Sequence, residues 1–304
     1  MTPQAGAAAK DRRVASAAGK LRAVAMVCDG LYQRYLVQRL AAECDLAGVI
    51  VYAPENPKGS LLRRLARYRN PVRLLRHLRA RRLLTEYAAR ARPLVESLFF
   101  EGGKAPRLPE GVPVLRVPNV NAPKAVAFIA RANPDIACIN GTNLLREPML
   151  ALAPRIRHGF LNLHTGLSPY SRGGNCDLFM LLEGRPELVG ITVHYIDRGI
   201  DSGDIVITAR PELAPDDSYE TIEAKGFRLG IDMMVVAVRQ IAAGRAERVA
   251  QWEEGKLFLR RTGYVYEPHH RVLVNRMLAG GMIAEYLAHR AQRDGGIRLV
   301  GRRD

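Results

Sequence analysis

Three short apolar runs limit what this chain can fold into: 21–28 (LRAVAMVC), 46–52 (LAGVIVY) and 134–140 (PDIACIN). Runs of this length, rich in branched residues and bounded by turn formers, read as strands buried on both faces. Between the first two, residues 32–43 repeat at helical spacing, with Tyr35, Leu36, Leu40 and Ala41 on one side. A strand, a helix and a second strand in that order open a doubly wound, mostly parallel α/β sheet. Further strands are expected at 113–117, 160–164, 190–196 and 205–209, with helices at 123–132, 147–152, 176–182 and 216–243. No G-x-G-x-x-G follows the first strand, which argues against a nicotinamide dinucleotide.

The chemistry concentrates in 160–205. Asn162 and His164 are two residues apart, so on a strand both side chains leave the same face. A turn-rich segment with Gly166, Pro169, Gly173 and Gly174 follows, and a loop carrying Asp197, Gly199 and Asp201 closes the block. An amide can donate to an oxygen on which charge develops. A carboxylate beside an imidazole orients it and is expected to raise its pKa. The set suits acyl transfer to an amine by direct attack. There is no G-x-S-x-G elbow, and no cysteine whose spacing to a histidine suggests a covalent intermediate. His194, in the middle of an apolar strand, reads as a packed core histidine.

The ordered elements N-L-H, L-S-P-Y-S-R-G and G-I-T-V-H-Y-I-D-R-G-I-D-S-G-D resemble the signature of formyltransferases that use 10-formyltetrahydrofolate. The resemblance covers about residues 21–211. It implies a formyltransferase fold, with Asn162, His164 and Asp201 as catalytic residues and the folate as formyl donor. It also implies that Gly141, Asn143, Leu144, Asp197 and Gly199 hold the donor, and that Asp29, Gly30, Tyr170 and Arg172 face the acceptor. Thr165-Gly166-Leu167-Ser168-Pro169 departs from the family's usual small-S-L-L-P. The family's purine enzymes carry a glycine- and serine-rich phosphate loop that is missing here. Its methionyl-tRNA enzymes carry an all-β appendage that is missing as well. A nucleotide-linked amino sugar is therefore the first candidate acceptor. Methionyl-tRNA formyl transfer, hydrolysis of formyltetrahydrofolate and non-catalytic folate or anion binding remain open.

The net charge of +16 favours anionic partners without choosing among them, and fits a phosphorylated amine. No apolar run approaches the ~20 residues of a membrane span. Cys28, Cys44, Cys138 and Cys176 show no ligand spacing, so no metal is expected and a reducing cytoplasm fits. A homodimer is compatible with all of this. The chain divides into a tail (1–20), a catalytic domain (21–211) and a helical extension (212–304). Within the catalytic domain, 56–96 reads as an arginine-rich insertion: two amphipathic helices split at Pro71, leucines inward and arginines outward, followed by a strand at 95–100. In the extension, a strand at 256–260 and one helix over 269–290 are expected, with His269 and His270 facing apart.

Overall fold

The computed structural model describes residues 20–55 and 70–301. Its main elements are β1 (Arg22–Cys28), α1 (Leu31–Glu43), β2 (Asp45–Tyr52), α2 (Pro71–Phe99), β3 (Val114–Val117), α3 (Pro123–Ala132), β4 (Ile136–Asn140) and β5 (Phe160–His164). They continue with β6 (Ser171–Gly173), α4 (Cys176–Leu182), β7 (Ile191–Tyr195), β8 (Ile205–Ala209), α5 (Tyr219–Ala242), β9 (Lys256–Phe258), α6 (Pro268–Ala279), α7 (Met282–Ala288) and α8 (Arg290–Asp294).

Seven strands form one sheet in the order β3-β2-β1-β4-β5-β7-β8. β1 to β5 run parallel, and β7 lies antiparallel between β5 and β8. The chain begins at β1, moves outward to β3 and then returns to the other side of β1 as β4. The strand order thus reverses between β1 and β4, and open sheets of this kind form a ligand crevice at the carboxyl ends there.

The period of two along each strand divides the core. Ala23, Ala25 and Val27 face α1 and α5, joining Leu36, Leu40, Ile231, Met234 and Val238. Val24 and Met26 face the opposite layer with Ile50, Ile129 and Phe160. In β5 the same alternation buries Leu161 and Leu163 under α5, so Asn162 and His164 emerge on the other face.

The start of α5 is fixed by a reciprocal cap: Ser218 Oγ accepts the Thr221 N–H, and Thr221 Oγ1 accepts the Ser218 N–H. α6 is joined to this turn by polar groups. The Tyr219 N–H donates to Asn275 Oδ1 at 2.8 Å, and Asn275 Nδ2 donates to Glu220 Oε2 at 2.9 Å. Arg271 meets Glu220 at 3.3 Å and Glu223 at 3.0 Å, with its guanidinium 4.6 Å from the centre of the Tyr219 ring. Burial pushes the Glu223 carboxyl above its ordinary value even with that cation present. Arg271→Ala would leave two carboxylates facing each other without a counter-charge. It is expected to destabilise the protein by ~3 kcal/mol, read as a lower urea midpoint at unchanged slope.

Several sequence expectations are corrected. Residues 95–100 do not form a strand; they end α2, where Phe99 packs against Tyr32 and Tyr35 at centroid distances of 4.8 and 5.3 Å. A short apolar run has no period long enough to separate the two states, and packing decides. Pro71 opens a continuous helix, and the first of the two expected helices, including Leu61, Leu62 and Leu65, lies outside the described residues, as does tail 1–19. Leu74, Leu75 and Leu78 do not pack inward but stay 38–54% exposed, while Ala80, Ala91 and Phe99 are buried. The helix expected at 147–152 is a 3-10 turn at Leu150–Arg155. The helix expected over 269–290 is broken into α6, α7 and α8, first at Gly280–Gly281, where Gly281 has φ +93°. The short β6 was not expected; it pairs in parallel with β9. No helix among the described residues is long and apolar enough to cross a membrane.

Candidate active site

Asn162 and His164 end β5, and the antiparallel register sets Asn162 opposite His194 of β7. Because Ile191, Val193 and Tyr195 face α5, His194 must share the face of Asn162. The loop after β7 then brings Asp201 over all three. Asn162 Nδ2 lies 3.1 Å from His194 Nε2 and donates to Asp201 Oδ1 at 3.4 Å. Asp201 Oδ2 is 3.6 Å from His164 Nδ1, and Asp201 Oδ1 is 3.5 Å from His194 Nε2. The Gly173 N–H donates to Asp201 Oδ2 at 3.0 Å. That approach uses a φ of +99° at Gly173, a conformation open to glycine.

Asp201 itself sits in the left-handed region, at φ +47°. Non-glycine residues there cost ~1–3 kcal/mol and persist where their surroundings hold them. Here the holder is Gln251, from beyond α5. Its Nε2 donates to Asp201 O at 2.8 Å and to Gly203 O at 3.0 Å.

The protonation pattern follows from the partners. His194 Nδ1 lies 2.8 Å from Tyr195 O, and a carbonyl only accepts, so Nδ1 carries the proton. In the neutral ring Nε2 is then left to accept from Asn162. Burial would raise the Asp201 carboxyl. The two imidazoles and the Gly173 N–H outweigh it, holding the carboxyl well below its ordinary value and therefore ionised. For His164 the expected rise does not occur. Burial is the largest influence and lowers its pKa, and the attraction of Asp201 only partly offsets that. His164 is neutral at rest and able to accept a proton.

The sequence missed two members of this cluster. His194 depends on strand register, which local spacing does not encode. Cys176 starts α4 and stands with Sγ 3.5 Å from His164 Nε2. Burial raises its thiol far above the ordinary value, so it stays protonated and is a poor nucleophile. Cys176→Ala is expected to retain activity within about tenfold of wild type. A complete loss, together with a thioester on the wild-type chain, would show covalent catalysis instead. Gly166 gives this packing its room: a Cβ there would stand 2.4 Å from His164 Nε2.

A cavity of about 390 Å³ opens beside the cluster. Asn162, His164 and Asp201 line it, as do Gly141, Asn143, Leu144, Asp197 and Gly199. Asn143 turns its side chain toward the turn before α3, where Oδ1 accepts the Val120 N–H and Nδ2 donates to Asn119 Oδ1. Asp197 accepts from the Gly199 N–H and the Ser202 hydroxyl, shaping the acid loop. Both residues therefore offer a ligand backbone rather than side chain, and Leu144 is an apolar rim, 46% exposed. Asp29, Gly30, Tyr170 and Arg172 lie outside the lining. Asp29 is paired with Arg34 and Arg116, and the Tyr170 hydroxyl accepts the Arg298 N–H.

The doubly wound sheet thus gathers an amide, two imidazoles and an ionised carboxylate around one loop. The sequence profile described as formyl transferase matches residues 49–238, and the chain belongs to that family. The methionyl-tRNA formyltransferase of Anaeromyxobacter dehalogenans is 33% identical over 142 residues, 46% of this chain and 44% of that protein. The chain thus matches under half the length of that curated relative. In fold, the chain is similar to a sugar N-formyltransferase from a Shewanella species, with a TM-score of 0.51 and 15% identity, covering 83% of this chain and 87% of the other. It is also similar to the phosphoribosylglycinamide formyltransferase of Anaplasma phagocytophilum, with a TM-score of 0.50 and 16% identity, over 78% and 98% of the two chains.

Proposed function

We propose that this protein transfers the formyl group of 10-formyltetrahydrofolate to an amine, and that the amine belongs to a nucleotide-linked amino sugar. The observation that carries this reading is that Asn162 and His164 each lie within 3.6 Å of Asp201 beside a cavity, inside the family-matched region. The cavity volume falls in the ~300–1,000 Å³ range of small-ligand sites. Its offered backbone at 141–144 and apolar rim suit a flat pterin with polar edges.

In this reading the amine attacks the formyl carbon directly. Asn162 turns an N–H toward the formyl oxygen as negative charge gathers there. Neutral His164 accepts the proton released by the amine nitrogen, and ionised Asp201 stabilises the imidazolium that results. The tetrahedral intermediate then collapses: the bond from the formyl carbon to N10 of the folate breaks and the proton passes to N10, so that tetrahydrofolate leaves and His164 is neutral again. His194 accepts the other Asn162 N–H and holds the amide in place. A base that must be neutral gives an acid limb in the rate. Because burial lowers the pKa of His164, kcat/KM is expected to rise with pH through a value below the ordinary 6.5 and then level off. A limb centred above 6.5 would assign the base elsewhere.

Two features support the amino-sugar acceptor. At the end of β1, where the purine enzymes are expected to hold a phosphate, the chain has Asp29, a carboxylate already paired with two arginines. Beyond α5 the described chain holds one three-residue strand and three helices, unlike an all-β appendage. The test is a panel of amines incubated with formyl-labelled 10-formyltetrahydrofolate and followed by mass spectrometry. Label on a nucleotide-linked amino sugar supports the reading, and free formate alone would indicate hydrolysis.

A further inference from the structure

We propose that the chain carries a second ligand site, for a nucleoside phosphate, in the cavity between α2 and the segment entering α6. This cavity has a volume of about 770 Å³, against about 390 Å³ for the candidate active site. Among the described residues the two share no lining side chain. The formyl-transfer reading assigns it nothing, and the proposal does not depend on that reading.

One wall is aromatic and already built. Phe179 and Tyr264 pack edge to face at a centroid distance of 5.1 Å, Tyr264 meets Phe258 at 4.5 Å, and Tyr266 stands at the rim, 38% exposed. Rings held by one another offer an apolar surface at little entropic cost, against which a heterocyclic base can pack.

Beside two acids, the wall carries donor groups. Arg76 projects from α2 and, among the described residues, forms no ion pair. His269 and His270 are adjacent but do not face apart as the sequence suggested. Both line this cavity, with ring centres 4.3 Å from each other. His270 Nδ1 accepts the Glu267 N–H at 3.2 Å, so the proton of the neutral ring lies on Nε2, a donor.

The acids of the cavity are already engaged. Glu183 takes Lys256 and the Tyr264 hydroxyl, and Glu267 lies 3.2 Å from His269 Nδ1. What is left over is a guanidinium and an imidazole donor facing an aromatic wall. Arginine recognises phosphate by parallel, charge-assisted hydrogen bonds, and the wall takes the ring attached to it. A bare anion would leave the wall unused, and a neutral aromatic would leave the guanidinium unused.

The full-length chain is titrated by calorimetry with UDP, with ADP and with inorganic pyrophosphate. Wild type, Arg76→Ala, Tyr266→Ala and Asn162→Ala are compared. The expected result is that at least one nucleotide binds, that Arg76→Ala and Tyr266→Ala each weaken it by about tenfold, and that Asn162→Ala binds as wild type does. Pyrophosphate should bind more weakly than the nucleotide. Arg76 is exposed, so the thermal midpoint of Arg76→Ala should match that of wild type. Absence of binding by both nucleotides would overturn the proposal. So would pyrophosphate binding as tightly as the nucleotide, or a loss that follows Asn162→Ala rather than Arg76→Ala.

Discussion

Asp201→Asn is expected to lower kcat by about 10²–10⁴-fold, and to lower the unfolding midpoint while the protein still folds, because a carboxyl held well below its ordinary value stabilises the fold at neutral pH. The carboxylate is the only negative charge in the cluster described above, set against His164 and His194 and fed by the Gly173 N–H. In the proposed mechanism it stabilises the His164 imidazolium at the moment the amine releases its proton. The amide keeps the shape, an oxygen for the Gly173 N–H, and tolerance of the left-handed backbone at this position. It removes the charge. Loss of activity with retention of fold therefore isolates the electrostatic contribution. Activity within tenfold of wild type would mean that His164 has no need of a counter-charge and that the proton leaves by another route.

Asn162→Ala is expected to reduce kcat by ~100–1000-fold, the effect of losing one donor to a developing oxyanion. Asn162 is half-buried on the cavity side, whereas His194 behind it is 1% exposed. The fall should appear in kcat rather than KM, because the bond strengthens only as charge builds. Asn162→Asp should be at least as poor, since an anion would then face both Asp201 and the formyl oxygen. A variant that raised KM alone would make Asn162 a binding residue for the ground state.

The parts of this molecule that were legible in the sequence were those fixed by local pattern. The continuous apolar runs of β1, β2 and β4 and the matching period of α3 needed no knowledge of their neighbours, and α4 spans Cys176–Leu182 as its sequence suggested. Asn162, His164 and Asp201 were visible because their spacing repeats a multi-part motif. The residues that remained hidden were set by distance along the chain. His194 meets Asn162 through strand register, Gln251 reaches the acid loop from fifty residues away, and Cys176 reaches His164 when α4 folds back. The direction of the His164 shift was hidden for a similar reason. The carboxylate was visible in the sequence, but the depth of burial that outweighs it was not. In α2 the exposed leucines defeat a rule that reads leucine as inward, and the helix turns alanines toward its neighbours instead.

The most direct test is rapid quenching of wild type, Asn162→Ala and Asp201→Asn after mixing with formyl-labelled 10-formyltetrahydrofolate and an accepted amine. Wild type should release tetrahydrofolate and formamide product in equal amounts with no label on the protein, and both variants should bind the folate yet turn over slowly. Label held covalently by the chain, or equal rates in all three proteins, would show that the amide, the imidazole and the acid are not where formyl transfer takes place as described.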